Sequence, residues 1–196
     1  MAERLYSEKT FEGAITRMLH DVVALHGAEF GDVQLPIDAE LVIVAQTGLD
    51  ASFLRAFMRV DRDDGSACGR ALRERRTVVI SDVECDPEYE AFRPDARKAG
   101  YRAVQTTPLF ASDGNLIGMV STLFARVHEP TPIEMETLMG YSVRAADYLQ
   151  KLLKGATLRS KAAEMNSRLC AQFGLNEEGG EHRIAIGPQI AISGTE

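Results

Sequence analysis

Three cysteines, Cys68, Cys85 and Cys170, carry the greatest capacity for covalent chemistry in this chain. Ser66 has the side chain of an N-cap residue, so Cys68 is predicted in the first turn of a helix over Ala67 to Glu74. A helix N-terminus lowers the pKa of a thiol and would favour a nucleophilic role. The alternative, which we favour, is that Cys68 is a small apolar side chain buried against a sheet. Cys85 is predicted in a loop, as a reactive thiol or as an incidental exposed one.

The number and spacing of the cysteines also bear on the cellular compartment. The count is odd and the spacings are wide, so a disulfide framework is not expected and a reducing compartment is favoured. The first residues lack the apolar run of a signal peptide, and no run of about 18 apolar residues is present to form a transmembrane helix. We therefore expect a cytoplasmic protein that does not enter a membrane.

Metal chemistry has one candidate segment, the acidic run Asp61 to Gly65. A calcium-binding EF-hand loop needs glycine at its sixth position and glutamate at its twelfth. Here Gly65 is fifth and Leu72 is twelfth, so a solvated turn that precedes the next helix is the better interpretation. The four histidines show no metal-ligand spacing, and no metal is assigned. The serine-nucleophile elbow and the phosphate-binding P-loop are also absent.

Aromatic and polar side chains mark a candidate small-molecule site, because such sites combine apolar walls with a few polar groups. Strand alternation places Gln105 and Thr107 on one face of a strand, with Ala103 and Leu109. The alternative is that the aromatic side chains only fill the core and that the polar ones are ordinary strand residues. The candidate ligand-binding residues are Phe53, Phe57, Cys68, Tyr89, Phe92, Tyr101, Gln105, Thr107 and Ser121.

The strongest structural signal is a hairpin near the middle of the chain. Ala103 to Phe110 and Leu116 to Phe124 read as two strands, and Asp113-Gly114 is expected to supply the positive φ angles of a hairpin turn between them. Gly118 lies inside the second strand, where a missing side chain allows another backbone or a ligand to come close.

The other elements follow from apolar spacing and capping signals. Thr131, Pro132 and Glu134 form a strong helix start, and an apolar stripe continues from there to Phe173, with a kink expected at Gly155. The remaining elements are helices over Ser7 to His26 and Ser52 to Arg59, and strands over Phe30 to Leu35, Leu41 to Gln46 and Thr77 to Ile80. The predicted organisation is an N-terminal helix in 1–29, a sheet and pocket region in 30–130, a long C-terminal helix in 131–173 and a flexible tail in 174–196.

Composition narrows the possible partners. The chain has 196 residues and a net charge of −7. Nucleic acids and anionic membranes bind surfaces of clustered lysine and arginine, so neither is an expected partner. The order of helices and strands fits one antiparallel sheet with helices on its faces, an α+β fold.

Five blocks, in this order and spacing, resemble the successive blocks of a GAF domain over Phe11 to Gln150. After the first hairpin, the blocks are GSACGRAL, TVVISDVECDPEY, GYRAVQTTPL and GNLIGMVSTLF. The resemblance implies a six-stranded antiparallel sheet with strand order 2-1-5-4-3-6. It also implies that terminal helices cover one face, while loops and short helices enclose a ligand pocket on the other.

The ligand is not implied, because GAF domains bind cyclic nucleotides, bilins, haem or metabolites, and some appear without a ligand. The Asn-Lys-Phe-Asp-Glu set of cyclic-nucleotide members is absent. No cysteine precedes a histidine, so covalent bilin attachment is not expected and the cofactor stays unknown. A free methionine sulfoxide reductase branch carries Cys-Gly near the place of Cys68-Gly69 and further cysteines near that of Cys85. The flanking residues differ here.

The preferred hypothesis is a non-enzymatic sensor of a small molecule in bacterial signal transduction. A long terminal helix is marginal in water without a partner, so we expect a homodimer through the N- and C-terminal helices. The output would pass to a separate signalling protein, or the chain is a piece of a longer protein. One alternative is a thiol-dependent reductase that uses Cys68 and Cys85. Another is a ligand-free dimerisation scaffold, which a pocket filled by the side chains of Phe53, Phe57, Tyr89 and Phe92 would favour.

Overall fold

Six antiparallel strands form one sheet in the computed structural model, which describes residues 2–176. The predicted tail lies outside the described residues from 177 onward. The strand order is β3-β2-β1-β6-β5-β4, and the α+β class with its six-stranded antiparallel sheet is confirmed. The strands are β1 (Phe30–Ile37), β2 (Glu40–Thr47), β3 (Arg59–Asp61), β4 (Val78–Ile80), β5 (Ala103–Phe110) and β6 (Leu116–Phe124).

The position of one strand corrects the implied order. The five strands visible in the sequence follow the implied 2-1-5-4-3 arrangement among themselves. The sixth is Arg59–Asp61, which pairs with β2 through Leu41 and Val60 instead of extending the β4 edge. A strand of three residues is too short to show period-two alternation, so the sequence pattern did not reveal it.

Seven helices complete the described part of the chain. They are α1 (Ala2–Ser7), α2 (Phe11–His26), α3 (Ala51–Phe57), α4 (Ala67–Glu74), α5 (Arg93–Ala99), α6 (Pro132–Leu152) and α7 (Leu158–Phe173). A 3₁₀ segment spans Pro87–Phe92. The predicted capping box is present: Thr131 accepts from the backbone of Glu134, whose carboxylate accepts from the backbone of Thr131. Thr10 caps α2, so the helix predicted over Ser7 to His26 begins at Phe11, and α1 precedes it as a separate short helix.

The two faces of the sheet bury separate apolar clusters. One cluster joins the sheet to α1, α2 and α6, with Ile15, Val120 and Leu149 among its members. The other joins the opposite face to α3, α4, the 3₁₀ segment and α5. The predicted placement of α2 and α6 opposite the pocket-forming elements is therefore confirmed, whereas α7 contributes Ala162 and Met165 to the first cluster and Leu169 and Cys170 to the second. Within residues 2–176, no helix is long and apolar enough to cross a lipid bilayer.

The predicted long C-terminal helix is interrupted. Lys154 and Gly155 adopt left-handed φ angles of 47° and 90°, and Thr157 then caps a new helix. Helix α7 packs on β1 and β2 of its own sheet, where Asn166 Nδ2 donates to the Ile43 carbonyl at 2.7 Å. The apolar face of α7 is thus covered by its own chain, which removes the need for a second copy to cover it.

Candidate functional site

A small cavity lies between the sheet and the layer of short helices. Its volume is about 20 Å³, enough for about one water molecule. The sheet contributes Asp32, Gln34, Val104, Ser121 and Leu123 to its lining. The opposite wall consists of Phe53, Phe57, Ser66, Ala67, Cys68 and Tyr89. This wall, together with Phe92 and Tyr101 behind it, is called the cover below.

The floor of the cavity is a polar row across three adjacent strands. Asp32 of β1 is in register with Ser121 of β6, which is in register with Thr106 of β5. Alternation along β1 brings Gln34 to the same face as Asp32. The hydroxyl oxygens of Ser121 and Thr106 lie 3.0 Å apart and share a hydrogen bond. Four polar side chains therefore meet at the centre of an otherwise apolar surface.

Asp32 is the most costly of these side chains to bury. Its side chain is 2% exposed, and its Oδ2 has no hydrogen-bond partner among the described residues. Burial alone raises the pKa of the Asp32 carboxyl from 3.8 to about 7, because the charged form loses its hydration. Gln34 Oε1 is likewise buried with no partner in the described part of the chain. Two hydrogen-bond acceptors thus face the cavity unsatisfied.

Cys68 lies opposite this row, in the first turn of α4. Ser66 caps that helix as predicted and accepts from the Gly69 backbone N–H at 3.2 Å. The sulfur of Cys68 is 3.5 Å from Ser121 Oγ and 3.6 Å from Thr106 Oγ1. Burial, and secondarily the nearby Asp32 carboxylate, raise the pKa of the Cys68 thiol to about 12. Desolvation outweighs the helix N-terminus here, so the thiol stays protonated.

Aromatic rings pack tightly in the cover. The rings of Phe53 and Phe57 are 4.7 Å apart, and that of Phe57 is 5.7 Å from the ring of Phe92. The hydroxyls of Tyr89 and Tyr101 share a hydrogen bond of 2.9 Å. Such offset and tilted contacts hold each ring against its neighbours.

One ion pair and a set of hydrogen bonds to the backbone hold the cover in place. Both carboxylate oxygens of Asp86 accept from Arg70 Nη1, at 2.9 and 2.8 Å. Asp86 also caps the 3₁₀ segment, while Arg93 donates to the carbonyls of Val83 and Asp86. The position of α4 and that of the 3₁₀ segment are therefore linked.

Seven of the nine predicted site residues lie in or beside the cavity. Five line it directly: Phe53, Phe57, Cys68, Tyr89 and Ser121. Phe92 and Tyr101 lie behind them and contact lining rings.

The prediction for Gln105 and Thr107 placed them on the wrong face of the sheet. Gln105 Nε2 lies 3.6 Å from the sulfur of Met135 on α6, and Thr107 shares a hydrogen bond with Thr77. Alternation along β5 separates Gln105 and Thr107 from Val104 and Thr106, but it does not show which face of the sheet meets which layer of helices.

Asp32 and Gln34 were missed as site residues, although the sequence holds a signal for them. Both interrupt the apolar residues of a buried strand, with Val33 between them and Leu35 after them. Aspartate is depleted in strands, so its presence within a fully buried one is informative.

The other candidate groups are not part of the cavity lining. The segment Asp61 to Gly65 is a turn, in which Asp61 Oδ1 accepts from the backbone of Asp63 and Asp64. Over residues 2–176, no group of three or more metal-ligating side chains is present. Cys85 is exposed beside Asp82, and Cys170 is buried on α7.

The chain resembles known proteins both in its sequence profile and in its fold. The GAF domain family profile matches residues 8–150, while no curated protein sequence matches the chain. A GAF domain of a phosphoenolpyruvate-protein phosphotransferase from Coxiella burnetii is 17% identical with a TM-score of 0.66, covering 79% of this chain and 92% of that one. A GAF domain/HD domain protein from Geobacter sulfurreducens is 18% identical with a TM-score of 0.63, covering 76% and 97%.

One similar structure is an enzyme. The free methionine-R-sulfoxide reductase of Neisseria meningitidis, solved with its substrate, is 20% identical with a TM-score of 0.55. The match covers 86% of each chain. At these identities the solved structures show a shared fold, and the family profile covers most of the chain. The chain therefore belongs to the GAF domain family.

Proposed function

We propose that the chain is a non-enzymatic sensory module whose small-molecule ligand binds between the polar row and the cover. The observation that supports this most strongly is Asp32, a residue that is 2% exposed and whose Oδ2 is buried with no hydrogen-bond partner in the described residues. Burying an ionisable group without a partner costs several kcal/mol on the order-of-magnitude scale, so such a group is expected where a ligand supplies the partner.

A ligand larger than one water molecule requires the cover to move. The rings of Phe53 and Phe57 on α3 form part of the wall that closes the cavity of about 20 Å³. Helix α3 has only seven residues, so it can shift outward as a unit while the sheet stays in place. Ligand binding would then be coupled to a displacement of α3.

The contacts of α7 provide a path for that displacement. Met58 directly follows α3, and its sulfur is 3.0 Å from Asn166 Nδ2 on α7. The same amide donates to the Ile43 carbonyl of β2. A shift of α3 would disturb the contact that anchors α7, so we propose α7 as the output element.

The small cavity supports a second candidate function, a ligand-free dimerisation scaffold. The side chains of Phe53, Phe57 and Tyr89 occupy most of the space between the sheet and the short helices, and Phe92 packs behind them. A scaffold needs a packed core here and nothing more.

A screen of ligands against a matched pair of proteins separates the two functions. Cys68→Met adds volume at the cavity wall and should block it, at a stability cost of about 1–3 kcal/mol. Native mass spectrometry and thermal shift with amines, amino acids, carboxylates and nucleobases should identify a compound that binds the unmodified protein and not the variant. If no compound binds in a cavity-dependent way, the scaffold is favoured and the sensor is excluded for those classes.

The state of the thiols supports the absence of reductase activity. A thiol attacks as its thiolate, and burial keeps Cys68 protonated at neutral pH. A hydrogen bond to Asp82 also raises the pKa of the exposed Cys85. Because one similar structure is a methionine sulfoxide reductase, the reactivity of the two thiols should be measured directly.

We predict that a disulfide reagent such as DTNB modifies Cys85 at least about 100-fold faster than Cys68 in the folded protein near pH 8, because the rate follows the thiolate fraction and access. Cys85→Ser should remove the fast phase, and urea should equalise the remaining thiols. Fast labelling of Cys68 would contradict a protonated and shielded thiol. Methionine sulfoxide reduction that is lost in Cys68→Ser would establish the reductase.

Dimerisation is proposed through the outer face of α6. Ile133, Met139 and Val143 expose 71%, 58% and 43% of their surface on this one helix. Exposed apolar residues grouped on one helix face are typical of association surfaces. The apolar face of α7 is not part of this proposed interface, because it packs on the sheet of its own chain.

We predict a dimer at micromolar concentration and a monomer for the double variant Met139→Glu and Val143→Glu, since four added charges would face each other in the symmetric interface. Light scattering coupled to size exclusion measures both. Val127→Glu changes another exposed apolar residue outside α6 and should leave the dimer intact. A monomeric unmodified protein over the same range would refute the interface.

A further inference from the structure

We propose that the cavity selects a small organic cation, whose ammonium or guanidinium group binds Asp32 and Gln34 on the sheet. This inference rests on the proposed sensor function and names the chemical class of its ligand. The two residues lie on one face of β1, two positions apart, and both line the cavity.

The hydrogen-bonding groups of the floor are dominated by acceptors. Asp32 Oδ2 and Gln34 Oε1 are both buried and both lack a partner in the described part of the chain. The hydroxyls of Ser121 and Thr106 already bond to each other. A ligand that satisfies this floor must therefore donate several hydrogen bonds at once, as ammonium and guanidinium groups do.

The surrounding charges favour a cation over an anion. The titratable groups that face Asp32 from the other elements are Cys68, Tyr89 and Tyr101, and burial raises the pKa of each, so all three stay neutral. Asp64, which lies before α4, adds further negative charge. The positive charge of Arg70 is taken up by both oxygens of Asp86.

The cover supplies a second form of cation recognition. Phe53, Phe57 and Tyr89 line the wall opposite the two acceptors. The face of an aromatic ring attracts a desolvated cation and repels an anion. A carboxylate below and aromatic rings above would hold a cation between them.

Methylguanidinium and methylurea test this proposal as a matched pair, because they have nearly the same shape and differ in charge. Calorimetry and ligand-observed NMR near pH 8 should show binding of methylguanidinium at least about tenfold tighter than that of methylurea. Acetate should not bind. Asp32→Asn should remove the preference, whereas Asp147→Asn, at a half-buried carboxylate outside the lining, should keep it.

A pH series of the same titration gives an independent readout. The cation binds the ionised carboxylate, so its binding to the unmodified protein should release a proton near pH 6. The affinity should fall by about tenfold per pH unit below about pH 7 and level off above that value. This dependence should vanish in Asp32→Asn.

The outcomes separate this proposal from the sensor function itself. Equal binding of methylurea and methylguanidinium, or binding of acetate, would show that the ligand is not a cation. If Cys68→Met blocks that binding, the proposed sensor function is still supported. Methylguanidinium binding that Asp32→Asn leaves unchanged also overturns the cation proposal. If all three probes fail while another class of compound binds in a cavity-dependent way, the cation proposal alone is wrong. If no compound binds at all, both proposals fall.

Discussion

Asp32→Asn is expected to raise the free energy of unfolding by about 4 kcal/mol above about pH 8, and to change it little below about pH 4. The reason is the raised pKa of the buried Asp32 carboxyl, about 7 in the folded protein against 3.8 for the unperturbed group. Asparagine has nearly the same shape and carries no charge to desolvate. Denaturation by urea at several pH values measures the difference directly.

The sign of the effect follows from proton binding. Between about pH 4 and pH 7 the folded protein keeps the proton on Asp32 while the unfolded chain releases it, so stability falls as the pH rises. Above about pH 7 both states are ionised and the penalty is constant. The variant lacks this titration, so its advantage over the unmodified protein should grow by about 3 kcal/mol between about pH 4.5 and pH 8.5.

Asp147→Asn is a control of opposite sign. Hydrogen bonds from the side chain and backbone of Ser112 lower the pKa of the Asp147 carboxyl, which therefore stabilises the fold when ionised. Its replacement should cost stability at neutral pH and cost less as the pH falls through the range in which that carboxyl is protonated. An advantage of Asp32→Asn that does not grow with pH would show that Asp32 is solvated or paired.

Gly118→Ala is expected to destabilise the fold by about 3 kcal/mol or more, the second large effect. A Cβ atom at this position of β6 would lie 2.5 Å from the carbonyl oxygen of Gln34 and 2.8 Å from Leu35 Cδ2. The carbonyl belongs to the paired strand β1, which cannot move away without breaking the sheet. The prediction that another backbone approaches Gly118 is thereby confirmed.

The same substitution elsewhere provides the control. Gly140 lies inside α6, where an added Cβ meets only Arg144 nitrogens at 3.6 and 3.7 Å. Gly140→Ala should stabilise the protein by about 0.5–1 kcal/mol, because alanine has the higher helix propensity. Thermal and urea unfolding of both variants should give shifts of opposite sign. A neutral Gly118→Ala would mean that β1 and β6 are less tightly packed than described.

Local signals were sufficient for most elements of the fold. The Asp113-Gly114 turn, the N-cap at Ser66 and the capping box of Thr131 and Glu134 each depend on a few neighbouring residues, and each is present. The positive φ angle of the turn is at Gly114, at 84°, and not also at Asp113. Such features are determined within one turn of chain, so they can be predicted from types and spacing.

The break between α6 and α7 shows where a local pattern misleads. Apolar residues continue at helical spacing on both sides of Gly155, which predicted one helix from 131 to 173. In the structure, left-handed φ angles at Lys154 and Gly155 interrupt the helix. Asn166 then donates a hydrogen bond to the Ile43 carbonyl, which is far away in the sequence. The two packing surfaces, not helix propensity, decide that the chain turns.

The sequence by itself determined the class of the fold, five of the six strands of the sheet and the aromatic residues of the cover. Only the tertiary structure decided which face of β5 meets the cavity, and it set Val104 there in place of Gln105. The tertiary structure also places Asp32 beside Ser121 and beneath the rings of α3. The carboxyl is desolvated there, and its Oδ2 has no hydrogen-bond partner within residues 2–176. The physical reason is that alternation and capping act along the chain, whereas burial and charge depend on residues that meet only when strands pair.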